Sequence, residues 1–265
     1  MSRALVALAL VLLSACAAPP PTAKIALVAP FEGRLRRVGY DAFPAMRLAI
    51  REQIAAGGIG DAYVTFIAYN DDGDPQAATR IAHNVARDPE VVAVIGHLVP
   101  STTLAALGVY TSAGLPVLVP SVPAHLLPLD SLVFRMGPGP AAPRREVKGA
   151  TCAALDASWA AAGAPFGECA ADAPPVAELP AAQRALASFA ALSLGPAPGP
   201  RAIVAYDATA VLLAALRRDA QAHGRPTRVG VAQALRQISH DGLLGRISFG
   251  QDNAWADAPL WVYPP

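Results

Sequence analysis

The sequence predicts an α/β fold: a doubly wound parallel sheet with helices on both of its faces. Apolar β-branched runs of strand length alternate with helix-length segments whose apolar residues recur with a 3.6-residue period. The run Val91–Ile95 is apolar at every position, as in a parallel strand that is covered on both faces. Hydrophobic residues make up 54% of the chain and aromatic residues only 6%, so small aliphatic side chains would pack the helices on the sheet.

The segment 88–122 contains one complete strand-helix-strand unit. Its first strand ends at Gly96, a helix with capping hydroxyls is predicted from about residue 101 to 112, and a second strand occupies 115–119. The carboxyl ends of parallel strands share one edge of a sheet, and a helix amino terminus there offers N–H groups to an anion. We therefore expect a small polar ligand beside four hydroxyl-bearing residues, Ser101, Thr102, Thr103 and Ser121.

Two strands and two helices are predicted before this unit. They are a strand at 24–29, a helix that Asp41 caps and Gly57 ends, a strand at 63–69, and a helix at 74–87. The acidic turn 70–75 carries three carboxylates, which could in principle bind Ca²⁺ or Mg²⁺. Its spacing lacks the glutamate of an EF-hand, so a turn in which Asp74 caps the next helix is the favoured interpretation and no metal is expected.

The composition changes after a short strand predicted at 132–136. Residues 137–200 are rich in Ala and Pro, and no apolar run in them is long enough for a second parallel sheet. Regular structure returns at Arg201. The elements predicted after residue 136 are helices at 184–194, 206–223 and 227–238 and short strands at 245–249 and 260–263.

The first sixteen residues have the pattern of an export signal. Arg3 is followed by the apolar run 4–13, which is too short to span a bilayer as a stable anchor. The following Leu-Ser-Ala-Cys resembles the bacterial lipobox, in which the cysteine, here Cys16, is diacylated and becomes the mature amino terminus. On this interpretation Cys16 anchors an extracytoplasmic protein to a membrane, and residues 17–23 form a Pro-rich tether. An ordinary signal peptide is the alternative.

The charged and reactive residues argue against several function classes. The 21 basic residues nearly balance the 20 acidic ones, so no nucleic-acid partner is expected. The sequence contains no G-x-S-x-G, H-E-x-x-H, P-loop or G-x-G-x-x-G motif, so neither an enzyme nor a cofactor is expected. Cys152 and Cys169 would form a disulfide in an oxidising compartment; metal binding is less favoured, since no histidine lies near them.

Six short stretches, in their order, resemble the leucine/isoleucine/valine-binding type of periplasmic substrate-binding protein. They are Ala55–Ile59, Asp71–Pro75, Val94–Leu98 followed by Ser101–Thr103, Gly114–Val117, Tyr206–Ala208 and Gly242–Phe249. This family consists of solute receptors for ABC importers. The resemblance implies the type I periplasmic-binding fold, whose two α/β lobes close on an amino acid or similar solute, and an ABC permease as partner.

The resemblance also implies a division of the chain and a set of ligand residues. The division is a signal peptide at 1–16, a tether at 17–23, lobe 1 at 24–136 and 201–265, and a reduced second-lobe remnant at 137–200. The implied ligand residues are Gly39, Tyr40, His97, Ser101, Thr102, Thr103 and Ser121. His97 follows a strand end, and it is expected to serve as a structural side chain rather than as a catalyst.

Three departures from the family pattern bear on the function. Val38, Pro100 and the pair Val122-Pro123 stand where the family has residues that contact the ligand. In addition, a single lobe would leave a ligand half solvated, so weak or absent affinity for a free amino acid is expected. The alternative function is a non-transport envelope lipoprotein that keeps the lobe as a protein-docking module.

Overall fold

The computed structural model describes most of the chain between residues 20 and 264. The described residues are 20–120, 122, 126–138, 142–149, 151, 169–171, 174–192 and 198–264. Within these ranges, no helix has both the length and the apolar character needed to cross a lipid bilayer.

A five-stranded parallel sheet forms the centre of the molecule. Its strands lie in the order β2-β1-β3-β4-β5, and every neighbouring pair is parallel. They are β1 (Thr22–Ala29), β2 (Tyr63–Asn70), β3 (Val91–Gly96), β4 (Val117–Val119) and β5 (Val133–Arg135). All residues of β3 are buried, as its apolar run predicts.

Helices cover both faces of this sheet. Those of the described residues are α1 (Arg36–Ala55), α2 (Pro75–Arg87), α3 (Pro100–Ser112), α4 (Pro180–Ala190), α5 (Arg201–His223) and α6 (Arg228–Arg236). On β1, Ile25 and Leu27 belong to the core that contains α1 and α5, whereas Ala26 and Val28 belong to the core that contains α2 and α3. This alternation confirms the predicted doubly wound sheet. Helix α5 belongs to residues 201–265, the later of the two segments that the resemblance assigns to the same lobe.

Side-chain hydrogen bonds confirm two predicted helix starts. The carboxylate of Asp74 accepts the backbone N–H of Ala77 at 2.7 Å, and Pro75 is the first residue of α2. The hydroxyl of Thr227 accepts the N–H of Gly230 at 3.0 Å at the start of α6. Short polar side chains in these positions satisfy N–H groups that have no partner within the helix.

The starts of α1 and α3 differ from the predictions. Helix α1 begins at Arg36 instead of at Asp41, which lies buried inside the helix and does not cap it. The predicted start is wrong because the inner face of α1 continues back to Val38, which is also buried. In α3 no side chain caps the amino terminus. Instead, the hydroxyls of Thr102 and Thr103 donate to the carbonyl of Val99, at 3.1 and 2.8 Å.

Two small sheets accompany the central one. Strand β10 (Leu260–Tyr263) pairs in parallel with β6 (Arg144–Glu146) and antiparallel with β7 (Cys169–Ala171), and β8 (Ser239–Asp241) forms a hairpin with β9 (Arg246–Ser248). In its described part, the segment 137–200 therefore contributes α4 and two three-residue strands. The predicted strand at 260–263 exists, but it pairs with this segment and not with the central sheet. The division into lobes stays a prediction.

Candidate functional site

The loops that follow β1, β2 and β3 meet at the carboxyl edge of the central sheet. The side-chain carbonyl of Asn70 accepts the N–H of Phe31 at 2.8 Å, which joins the first two loops. Gly96 ends β3 beside Val28, and a Cβ atom on it would lie 2.3 Å from the carbonyl oxygen of Val28. Since that distance is far shorter than a van der Waals contact, only glycine allows β3 to leave the sheet at this point.

A buried chain of three side chains supports this edge. Nδ1 of His97 lies 2.7 Å from a carboxylate oxygen of Asp71, and Nε2 lies 3.1 Å from the hydroxyl of Tyr110. All three residues are at most 1% exposed. Burial, and to a lesser degree the charge of Asp71, raise the pKa of Tyr110 well above its usual value, so its phenol stays protonated. It donates to Nε2 in the tautomer whose Nδ1–H faces Asp71.

Both ring nitrogens of His97 are thus engaged inside the protein. A ligand could bond to this ring only after one of the two hydrogen bonds had been broken. The geometry agrees with the expected structural role of His97, and the sequence could not show its partners, because Asp71 and Tyr110 are 26 and 13 positions away.

Of the three hydroxyls predicted at the start of α3, one reaches the surface. Ser101 is exposed, whereas Thr102 and Thr103 are fully buried. The hydroxyl of Thr103 also donates to the carbonyl of His97 at 2.9 Å, so it fixes the loop between β3 and α3. Ser101 is therefore the member of this group whose side chain faces solvent at the carboxyl edge.

Gly39 and Tyr40 lie in the first turns of α1 and not in a loop. A Cβ atom on Gly39 would lie 2.4 Å from the carbonyl oxygen of Pro30, so this glycine lets α1 pack closely on the loop after β1. Tyr40 is 48% exposed, and its ring packs edge-to-face on Phe31 with 5.9 Å between the centroids. Tyr40 thus lies beside the loop after β1, and its contact with a ligand stays a prediction.

The carboxyl ends of β4 and β5 are covered by a late part of the chain. Trp255 and Trp261 are 4% and 6% exposed. Together with Pro120 after β4 and Met136 after β5, they line a cavity of only about 10 Å³. A cavity of this size holds at most one water molecule. No sequence pattern predicts this cover, although the two tryptophans near the carboxyl terminus are a signal of buried apolar contacts there.

A larger groove, of about 490 Å³, lies between α1, α5 and the turn that follows β8. Its walls include Glu52, Tyr206 and Arg217, and the hydroxyl of Tyr206 donates to the carboxylate of Glu52. The ligand residues implied by the resemblance do not line this groove.

Several predicted residues fall outside the described part of the chain. Cys16, Ser121 and Cys152 are among them, and Cys169 is described only by its place in β7. The lipid anchor, the disulfide and a ligand contact at Ser121 therefore stay predictions. Where the structure describes the chain, it contains no group of three or more His, Cys, Asp or Glu side chains that could hold a metal ion.

Sequence comparisons connect the first half of the chain to known solute receptors. Residues 22–147 match the family described as Periplasmic binding protein. The leucine-, isoleucine-, valine-, threonine- and alanine-binding protein of Pseudomonas aeruginosa is 31% identical over 124 residues, which are 47% of this chain and 33% of that protein. The Leu/Ile/Val-binding protein of Escherichia coli K12 is 31% identical over 101 residues, 38% of this chain and 27% of that protein. The matches thus span a third or less of these relatives.

Solved structures show the same fold. A putative branched-chain amino acid ABC transporter from Rhodospirillum rubrum superposes with a TM-score of 0.70 at 18% identity, covering 91% of this chain and 96% of the other. The substrate binding protein LivJ of Streptococcus pneumoniae, in complex with isoleucine, gives a TM-score of 0.69 at 15% identity and coverages of 92% and 100%. These comparisons confirm the predicted type I periplasmic-binding fold and, for residues 22–147, the family resemblance.

Proposed function

We propose that the chain is an extracytoplasmic, lipid-anchored solute-binding protein of an ABC importer, of the branched-chain amino acid or amide type, with weakened affinity for free amino acids. The observation that carries the proposal is the family match over residues 22–147, because this segment contains the entire central sheet and the start of α3. The curated relatives of the chain include the Leu/Ile/Val-binding protein of Escherichia coli K12.

The amino terminus of α3 is the best candidate for holding the carboxylate of such a solute. No side chain caps this helix, Pro100 has no N–H group, and the N–H of Thr103 donates to the carbonyl of Val99 at 3.0 Å. The N–H groups of Ser101 and Thr102 and the exposed hydroxyl of Ser101 remain for an anion, which the helix dipole also favours.

Weakened affinity follows from the rest of the carboxyl edge. In the described residues, Trp255 and Trp261 cover its β4-β5 half, which leaves mainly the loops after β1, β2 and β3 for a solute. The segment 137–200, which we take to be the remnant of a second lobe, contains one α-helix, one 3-10 helix and two three-residue strands in its described part. A ligand there keeps much of its contact with water, which weakens its hydrogen bonds to the protein.

Isothermal titration of the full chain with L-leucine, L-isoleucine and L-valine tests the proposal. We expect binding weaker than micromolar and a further loss of about fivefold in Ser101→Ala, since one hydrogen bond contributes about 1 kcal/mol. Ser112→Ala is the matched control, because Ser112 lies at the opposite end of α3 and donates to the carbonyl of Gly108 at 2.7 Å. Micromolar or tighter binding would contradict weakened affinity, and unchanged affinity in Ser101→Ala would contradict the site.

The filled β4-β5 half of the edge favours one second candidate, a non-transport envelope lipoprotein that uses the lobe to dock another protein. On this alternative, titration with the three amino acids produces no heat in calorimetry and no chemical-shift change in NMR spectra, even at a concentration of about 10 mM. At that concentration a ligand with a dissociation constant in the millimolar range would occupy most sites. Saturable binding of any of them at this edge would contradict it.

A further inference from the structure

The most exposed hydrophobic side chains lie at the edge of the central sheet opposite the candidate ligand site, which we call the amino edge. Among the described residues, seven large hydrophobic side chains are exposed by between 43% and 78%. The four most exposed are Leu129 at 78%, Val229 at 65%, Tyr63 at 62% and Ile54 at 61%. Single exposed apolar residues are normal on a protein surface, but four on one edge indicate a contact surface.

Each of these four residues is placed at the amino edge by its element. Tyr63 is the first residue of β2, and Ile54 is the last but one of α1, which returns to this edge before β2 begins. Leu129 comes shortly before β5, whose first N–H, that of Val133, donates to the carbonyl of Asp130 at 3.2 Å. Val229 lies in the first turn of α6, at the amino ends of β3 and β4. The four side chains therefore extend from β2 across to β5.

Arg228, the residue before Val229, fixes helix α6 at this edge. The guanidinium of Arg228 donates to the carbonyls of Val91, the first residue of β3, and of Ala113, just before β4, at 2.9 and 3.0 Å. Close to this helix, the ammonium of Lys24 lies 2.8 Å from Asp88 and 2.6 Å from Glu90, so these three charges partly neutralise one another.

The chain also enters the described structure at the amino edge. Strand β1 begins at Thr22, and the carbonyl of Pro21 accepts the N–H of Tyr63 at 2.9 Å. Cys16 precedes Thr22 by six positions, and six residues span at most about 20 Å when fully extended. A lipid on Cys16 would therefore hold the amino edge within about 20 Å of the membrane surface.

The length of β1 excludes one orientation of the sheet, in which the carboxyl edge would face the membrane. At roughly 3.3 Å per residue, the eight residues of β1 extend over about 26 Å. If the carboxyl edge faced the membrane, Thr22 would lie at least this far from the bilayer, and the loops after the strands would add to the distance. The six-residue reach of about 20 Å is too short for that orientation.

We propose that the amino edge is a membrane-docking surface on which Leu129, Val229, Tyr63 and Ile54 rest against the lipid headgroup region, so that the candidate ligand site opens away from the bilayer. The proposal rests on the proposed lipid anchor at Cys16. Apolar side chains and tyrosine are the residue types that favour the boundary between headgroups and acyl chains. On this proposal the lipid attaches the protein to the membrane, and the apolar side chains of the amino edge orient it.

Two residues at the carboxyl edge serve as controls of the same type: Tyr40 for Tyr63, and Leu104 for Leu129. Tyr40 and Leu104 lie near the starts of α1 and α3, and each is 48% exposed. Four variants of the full chain would be made: Tyr63→Trp and Leu129→Trp at the amino edge, and Tyr40→Trp and Leu104→Trp at the carboxyl edge. The three natural tryptophans give the same background in all of them.

The lipidated variants are reconstituted into phosphatidylcholine vesicles, with and without bromine on the acyl chains. The fluorescence that each introduced tryptophan adds to the natural background is then measured in both kinds of vesicle. We expect the brominated lipid to quench this added fluorescence at least twofold more in Tyr63→Trp and Leu129→Trp than in the two carboxyl-edge variants. Equal quenching at both edges, at neither edge, or more at the carboxyl edge overturns the proposal.

Cys16→Ser separates a failure of this proposal from a failure of the anchor. Incorporation of labelled palmitate into the natural chain but not into Cys16→Ser supports the anchor, and the quenching result then tests the docking surface alone. If the natural chain incorporates no palmitate, the anchor itself is wrong, and the docking surface is overturned with it.

Discussion

The two edges of the central sheet are held in different ways. At the amino edge, one guanidinium from late in the chain, that of Arg228, donates to the carbonyls of Ala86, Asp88, Val91 and Ala113, which are 115 to 142 positions away. At the carboxyl edge, the supporting side chains Asp71, His97 and Tyr110 all lie within 40 positions of one another. The amino edge thus closes only when early and late parts of the described chain have come together, whereas the buried side chains behind the loops after β2 and β3 come from a single stretch of chain.

The first way to test this contrast is Arg228→Ala. We expect the free energy of unfolding to fall by about 4 kcal/mol, because hydrogen bonds from a charged donor contribute roughly 1.5 to 3 kcal/mol each and part of the loss is recovered by water at the edge. Urea denaturation followed by circular dichroism gives the value. Arg225→Ala, an exposed arginine three residues earlier, should change stability by less than about 0.5 kcal/mol. A loss below about 1 kcal/mol in Arg228→Ala would show that this side chain does not hold the edge.

The second test concerns the buried chain at the carboxyl edge. His97→Ala should cost about 3 kcal/mol, because it removes two buried hydrogen bonds and leaves Oδ2 of Asp71 and the hydroxyl of Tyr110 without their partner. Tyr110→Phe removes a single hydrogen bond and should cost about 1 kcal/mol. Since the two residues share that bond, the double variant should lose less than the sum of the single losses. Additive losses would contradict the hydrogen-bonded chain of Asp71, His97 and Tyr110. Tyr63→Phe, at the exposed amino edge, is the control, and it should leave the free energy of unfolding unchanged.

Effects smaller than those of Arg228→Ala and His97→Ala are expected from two glycines of the helices beside the carboxyl edge. Gly39→Ala would place a Cβ atom 2.4 Å from the carbonyl oxygen of Pro30, so we expect a loss of about 2 kcal/mol from overpacking. Gly108→Ala meets no atom within 4 Å and lies exposed in the middle of α3, so we expect a gain of about 0.5 to 1 kcal/mol from helix propensity. Thermal denaturation of both variants checks the signs; a neutral Gly39→Ala would show that α1 does not need its close approach to the loop after β1.

Strands and caps were predictable because their signals are local. The uninterrupted apolar run of β3 and the Asp74-Pro75 pair at the start of α2 appear in the structure where the sequence placed them. The start of α1 was placed five residues late, since Asp41 looks like a capping residue and only the packing shows that it is buried. The hydroxyls of Thr102 and Thr103 were expected to cap α3 and to face a ligand, although the first turn of α3 directs them to backbone carbonyls.

By itself, the sequence determined the parallel sheet of this protein, its winding by helices on both faces, and the edge at which its loops would gather. Those features depend on the period of apolar residues and on short-range turn chemistry, which can be read along the chain. The tertiary structure alone decided that Arg228 closes the amino edge, that Trp255 and Trp261 fill half of the carboxyl edge, and that β10 pairs with β6 and β7. Each of these contacts joins residues about 90 or more positions apart, and no local pattern records a contact over that distance.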